Sequence, residues 1–179
     1  MTDLPYSSIP HVPDEINASN VIARFVDGLG FRYYWATEGL TEKELEFRPC
    51  ESSMNILEVL KHIHILASTA NRTLGGGSEL EGTPASFEAM RRSTLELYTE
   101  LSNRLKKMDC EELSSFKARR SHSKTEYPFW FVLNGHISDA LTHVGQVKSW
   151  RRMAGNPLPE GVQVFSGERV INTTSNLKK

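Results

Sequence analysis

Apolar residues recur at three- and four-residue spacing in four long segments of the 179-residue chain, the period of helices that each bury one face. The first runs from about Asn17 to Glu38, with Val21, Ile22, Phe25, Val26 and Leu29 on one side. Gly28 and Gly30 weaken it locally, and Gly39-Leu40-Thr41 ends it. Thr41 to Glu44 has the composition of a capping box, in which the hydroxyl caps a short turn and the carboxylate reaches back. Arg48-Pro49 then breaks the chain. The second segment starts at Ser52 or Ser53, either able to cap a helix. It lines up Ile56, Val59, Leu60, Ile63, Leu66, Ala67 and Ala70 before Gly75-Gly76-Gly77-Ser78 ends it. The third starts at Thr83-Pro84, where proline suits a first helical turn. It runs to about Lys107 and buries Phe87, Met90, Leu97, Tyr98, Leu101 and Leu105. The fourth opens at Pro128 and stops near Gly155, with Asn156-Pro157 as the stop signal.

No convincing set of strands and no internal repeat interrupts this pattern. The polar stretch from Asp109 to Glu126 reads as a connecting loop and carries one basic cluster, Arg119 to Lys124, of the kind that is usually a solvated surface. The segment after Pro157 has a short β-like run, Val162-Gln163-Val164-Phe165, and a polar end that frays. The expected fold is all-α: an antiparallel four-helix bundle over residues 17–157, preceded by an extended arm (1–16) and followed by a short irregular C-terminal extension (158–179).

Charge narrows the partners. With 21 basic and 22 acidic residues, the chain lacks the excess of Lys and Arg that nonspecific nucleic-acid binding needs, so no nucleic-acid partner is expected. No apolar stretch approaches the ~20 residues of a membrane helix, and none is expected to meet a membrane. Met1 to Asn17 is polar and proline-rich rather than signal-like. Cys50 and Cys110 form no CxxC pair and read as reduced thiols, which fits a cytoplasmic location.

The fourth segment carries the chemistry. At ~100° per residue, Trp130, Leu133, Ile137, Ala140, Val144 and Val147 share an apolar face, while Asn134, Ser138, Thr142, Gly145, Ser149 and Arg152 face away. Between them runs a third stripe: Phe129, Val132, His136, Asp139, His143, Gln146 and Trp150. Asp139 and His143, four apart, stand one above the other with Cβ atoms about 6 Å apart. That spacing suits two ligands of one metal, as in HExxH. The spacing equally suits a surface ion pair, or a histidine with a hydrogen-bond partner. His136 could reach in beside Asp139, but it lies two turns, about 10.5 Å, from His143. On the second segment, His62 and His64 fall on opposite flanks of the apolar face, and periodicity does not choose between them.

At these residues the chain resembles the DinB/YfiT superfamily. Ser53 to Ile63, ending Lys61-His62-Ile63, resembles the second-helix motif of that superfamily, whose histidine is a metal ligand. His143-Val144-Gly145-Gln146-Val147 resembles its fourth-helix His-x-Gly-Gln motif, whose histidine is another. Arg151 to Gly155 and the link from Gly39 to Pro49 also match. The resemblance spans roughly Val21 to Phe165, and the order and spacing of the motifs carry more than any one of them. It favours His62 over His64. It also exposes a departure, because Asp139 stands where the common pattern has a third histidine. A carboxylate can replace imidazole on zinc or a similar ion, and the exchange makes the site more anionic.

The resemblance implies a divalent metal, zinc or nickel, held by His62, Asp139 and His143. It further implies a hydrolase or thiol transferase acting on a small molecule, such as a low-molecular-weight thiol. Glu58, one turn before His62, and His136 are the candidates for proton transfer or for orienting a ligand. Gln146 and Trp150 are candidate cleft-lining residues, and Arg119, Arg120 and Lys124 are candidate anion attractors. The alternative is a non-enzymatic, stress-linked binding or interaction module with a degenerate metal site. A homodimer is expected from Phe31, Tyr33, Tyr34 and Trp35, read as outward-facing, and from Gly145 on the outer side of the fourth helix, since aromatics are enriched in interface cores.

Overall fold

The computed structural model describes residues 3–76, 82–119 and 125–171. Gly77-Ser78, Arg120 to Lys124 and the segment from Asn172 onward lie outside the described residues. Helix makes up 58% and strand 6%, so a chain more than half helical is what forms. The long elements are α1 (Ala18–Thr37), α3 (Ile56–Thr73), α4 (Phe87–Leu105) and α7 (Ser138–Met153), with a four-residue α2 (Glu42–Leu45) after α1. α7 continues a run that begins with α6 (Phe129–Phe131) and a π-helical turn (Val132–Ile137). α1 and α3 each pack against both α4 and α7, and the core lies between the four, built from Val26, Leu29, Tyr33, Leu60, Ile63, Leu95, Leu101, Ala140 and Val147 among others.

Within the stretch expected to be a connecting loop, the described residues 109–119 and 125–126 carry regular structure. Asp109 caps α5 (Cys110–Ser115) and exchanges hydrogen bonds with Glu112 at 2.8 and 2.9 Å. This Asp-x-x-Glu capping box was readable in the sequence. β1 (Lys117–Arg119) then pairs antiparallel with β2 (Glu126–Pro128). Part of the β-like run also forms, as β3 (Val162–Gln163) pairs with β4 (Glu168–Arg169).

α1 departs from its expected face. Asn17 caps it, its Oδ1 accepting from the Asn20 N–H at 2.9 Å. The helix passes through Gly28 and Gly30 without a break. Val21 and Phe25 are exposed, while Ala23, Val26, Leu29 and Tyr33 fill the core. Phe31, Tyr33 and Trp35, expected to face outward, are buried instead. Tyr33 turns into the core, where its ring meets Tyr98 edge-on at 6.1 Å, while Trp35 is covered by the N-terminal arm and the C-terminal segment. The Trp35 indole N–H donates to the Ser7 carbonyl at 3.2 Å, and the Arg169 guanidinium sits 5.4 Å over its ring. Arm and C-terminal segment also meet directly: the Ile9 N–H donates to the Gly167 carbonyl at 2.7 Å, and Gly167 has φ +74° with the Ile9 side chain against it. Of the residues on which the expected homodimer rests, Phe31, Tyr33 and Trp35 are buried, Tyr34 is partly buried and Gly145 is exposed.

Gly30 explains how the arm docks. A Cβ there would lie 2.7 Å from the Tyr6 ring. Tyr6 is buried, and its hydroxyl donates to Asp27 at 3.0 Å. The other Asp27 oxygen takes the Lys106 ammonium at 3.0 Å, so this fully buried carboxylate is neutralised. Burial, and then the Asp27 charge, push the Tyr6 phenol well above its usual pKa, so it remains a donor. Gly30→Ala is expected to expel Tyr6 and cost about 1–3 kcal/mol, as overpacking does. Limited proteolysis should then cut the arm faster than in the wild type; unchanged cleavage would contradict this docking.

α3 starts later than expected. Its cap is Asn55, not Ser52 or Ser53. Asn55 Oδ1 accepts from the Glu58 N–H, and Glu58 Oε2 accepts from the Asn55 N–H, both at 2.8 Å. Ser53 is instead drawn into the preceding turn by its hydrogen bond to the Cys50 carbonyl at 2.9 Å. α4 likewise starts after Thr83-Pro84, with Ser86 as its cap.

The fourth long run follows its expected face only in its second half. Ile137, Ala140, Val144 and Val147 are buried as the 100° count requires. Before them, Phe129 and Val132 are buried while Trp130 is 62% exposed. A π turn closes i→i+5 rather than i→i+4, so it takes up an extra residue and shifts the phase of everything before it. Ser138 stabilises the wide turn by donating to the Leu133 carbonyl, five residues back, at 2.8 Å.

Two arginines hold the C-terminal end of α1. Arg91 donates to Thr37 Oγ1 and the Tyr34 carbonyl. Arg151, 1% exposed, donates to the carbonyls of Trp35, Ala36 and Asn156 and to Asn156 Oδ1, at 2.7–3.1 Å. Cations belong at that end of a helix, where its last carbonyls and dipole are negative. These contacts fix α7 to α1 and thereby set the height at which Asp139 and His143 meet α3.

Candidate metal centre

α3 and α7 bring three side chains together. His62 Nε2 lies 3.2 Å from Asp139 Oδ2, and His143 Nε2 lies 3.5 Å from Asp139 Oδ1. The two imidazole rings stand edge to face with centroids 4.7 Å apart. One ligand atom from each residue lies within 4.8 Å of the others. Asp139 and His143 share a face because they are one helical turn apart. His62 reaches them because its own flank of α3 faces α7.

The donor set fits a divalent cation. Ligand atoms bound at ~2.1 Å in a tetrahedron stand roughly 3.4 Å from one another, and each histidine Nε2 lies about that far from one oxygen of the Asp139 carboxylate, 3.2 Å from Oδ2 and 3.5 Å from Oδ1. Two imidazoles with one carboxylate is a borderline donor set of the kind zinc and its neighbours take. The side chains of His62 and Asp139 are 39% and 44% exposed, and that of His143 is 14% exposed. The group is thus anchored on the inner side and open on the outer one. Three protein ligands with an accessible fourth position is the pattern of reactive rather than structural zinc sites. His62, Asp139 and His143 therefore form a group that could hold a metal ion.

The remaining candidates fall elsewhere. His64 is buried, with its Nδ1 at 3.1 Å from Thr94 Oγ1. The Thr94 hydroxyl donates to the Met90 carbonyl, so His64 Nδ1–H is the donor to Thr94. Burial holds the His64 pKa below its usual value, which keeps the ring neutral within the core. Glu58 spends its carboxylate on the Asn55 cap and on Arg48 at 3.1 Å. Those contacts, rather than the metal ligands, lower its pKa. His136, on the π turn, is not in the ligand group; its ring meets Phe131 edge-on at 5.6 Å, and Phe131 stacks on Tyr127. Trp150 packs against the edge of the core. Gln146, read as a cleft-lining residue, instead holds His143: its Oε1 lies 2.7 Å from His143 Nδ1. The i, i+3 spacing of the two residues carried that signal.

Neither family models, nor curated proteins, nor solved structures gave a match to this chain. The geometry of the site therefore carries the functional reading by itself. Among the described residues no helix is long and apolar enough to cross a membrane.

Proposed function

We propose that the chain is a cytoplasmic divalent-metal-binding protein built as a four-helix bundle of the DinB/YfiT type, acting on a small molecule as a metal-dependent hydrolase or thiol transferase. The observation that supports it is the convergence of His62, Asp139 and His143 with two of the three half-exposed. Inward-facing side chains of neighbouring helices are where bundles build such sites. When bound, the ion supplies Lewis-acid chemistry, polarising a substrate and making a water or thiol easier to deprotonate. The chain itself contributes the rest. His62 and His143 hold from two helices, Asp139 adds the negative charge that favours a dication, and Gln146 orients His143. Glu58 is committed to the start of α3, so the proposal assigns proton transfer to His136, one turn before Asp139. His136→Gln is expected to lower turnover by about 10²–10⁴-fold, the usual range for a general acid or base, while metal content stays unchanged. Loss of metal instead would make His136 a ligand.

One observation favours a second reading, a metal-free binding module. Asp139 already lies within hydrogen-bonding or ion-pairing distance of both histidines, so a protonated imidazole would neutralise it without an ion. Elemental analysis of untagged protein separates the two. About one zinc or nickel per chain supports the proposal. No metal, together with an unchanged melting temperature in chelator, supports the module.

A further inference from the structure

Gln146 lies one turn after His143 and on the same face. Its amide oxygen can only accept a hydrogen bond, and it sits 2.7 Å from His143 Nδ1. His143 Nδ1 must then carry the proton. In the neutral ring this leaves a lone pair on Nε2, and that lone pair faces Asp139 Oδ1 at 3.5 Å. An ionised carboxylate is also only an acceptor, so neither atom can donate to the other. The arrangement suits a cation between them and suits a direct hydrogen bond poorly.

The alternative tautomer shows what Gln146 opposes. With its proton on Nε2, His143 could donate to Asp139 and close the site as an ion pair. His62 has that option, since its Nε2 lies 3.2 Å from Asp139 Oδ2. Asp139 would then be held by both histidines and offer less to a metal. We infer that Gln146 is a positioning residue that locks His143 in the Nδ1–H tautomer, keeping its Nε2 lone pair directed at the ligand group. The inference rests on the metal-site reading for its purpose, but the tautomer is a property of the metal-free chain. The conservative variant Gln146→Glu keeps an acceptor at the same reach. Gln146→Leu removes it with little change in volume. Gln146 is only partly buried, so neither change attacks the core.

The test is nitrogen-15 NMR of the histidine rings in chelator-treated full-length protein, at about pH 8.5 where imidazoles are ordinarily neutral. The wild type should show a protonated Nδ1 and an unprotonated Nε2 for His143. Gln146→Glu should keep that pattern, and Gln146→Leu should switch it to a protonated Nε2. Zinc titrated into the same three proteins should bind Gln146→Leu about 10–100-fold more weakly than wild type, the usual effect of losing such a partner, and Gln146→Glu about as well as wild type. A wild-type His143 protonated on Nε2, or a Gln146→Leu variant that keeps the Nδ1 proton, would overturn the inference. If the tautomers behave as stated but none of the three proteins binds zinc, the positioning role stands and the metal-site reading fails.

Discussion

Arg151→Met should cost about 1–3 kcal/mol for each buried acceptor it leaves without a partner. The guanidinium makes four hydrogen bonds, and among the described residues no carboxylate pairs with it. It is matched instead by the C-terminal carbonyls of α1 and by Asn156, whose own amide reaches the Gly39 carbonyl at 2.9 Å. Burial lowers the Arg151 pKa and nearby Glu44 and Glu38 raise it, so the environment compensates only in part for the lost solvent. Methionine fills the space but leaves Trp35, Ala36 and Asn156 without their donor. Against a total stability of about 5–15 kcal/mol, that is a large fraction. Arg151→Lys should recover only part of it, because an ammonium cannot span the four acceptors as a planar fork does. Urea denaturation should show the midpoint fall with the slope unchanged. A loss below about 1 kcal/mol would mean that the end of α1 is held by Arg91 alone.

The second large effect concerns Asp139. Asp139→Ala removes one of three ligands and the only negative charge of the group, and zinc affinity is expected to fall at least 100-fold. Asp139→His should retain tight binding, since it supplies an imidazole at the same position and zinc accepts either donor. The two variants also separate the metal reading from a simple ion pair. If Asp139 serves only to pair with His62 and His143, the histidine variant places three imidazoles together with nothing to neutralise them. It should then be as unstable as the alanine variant, or more so, and bind no metal. Calorimetric titration with zinc, alongside thermal melts in chelator, decides between these outcomes.

The parts of the structure readable from sequence were those set by local rules. The helices around Val59 to Ala70, Met90 to Leu105 and Ile137 to Val147 follow apolar periodicity, and their faces are the buried ones. Asp139 and His143 follow from one helical turn, and the link to His62 came from motif order rather than from periodicity, which left His64 equally open. What could not be read depended on contacts distant in sequence. Val21 and Phe25 look like core until Tyr6 and the arm are seen to cover a different side of α1. The aromatic run from Phe31 to Trp35 looks outward-facing until Tyr33 is seen to meet Tyr98 in the core, and Ser7 and Arg169 to close over Trp35. The π turn is a change of backbone phase with no fixed residue signature, so a uniform 100° count puts Trp130 on the apolar face, where the structure buries Phe129 and exposes Trp130. Ser138, whose hydroxyl serves Leu133, is the residue that accommodates it. Asn55-x-x-Glu58 is also a capping box, a local signal that engages the Glu58 carboxylate at the start of α3.

The central claim is that His62, Asp139 and His143 hold one divalent ion between α3 and α7. Its most direct test is calorimetric titration of zinc into metal-free wild type and into His143→Ala. His143 is the innermost of the three ligands, and its Nε2 is the atom that Gln146 leaves facing Asp139. The account predicts about one tight site per wild-type chain and none in the variant, with both proteins equally helical. Equal binding by wild type and His143→Ala, or no binding by a folded wild type, would contradict it.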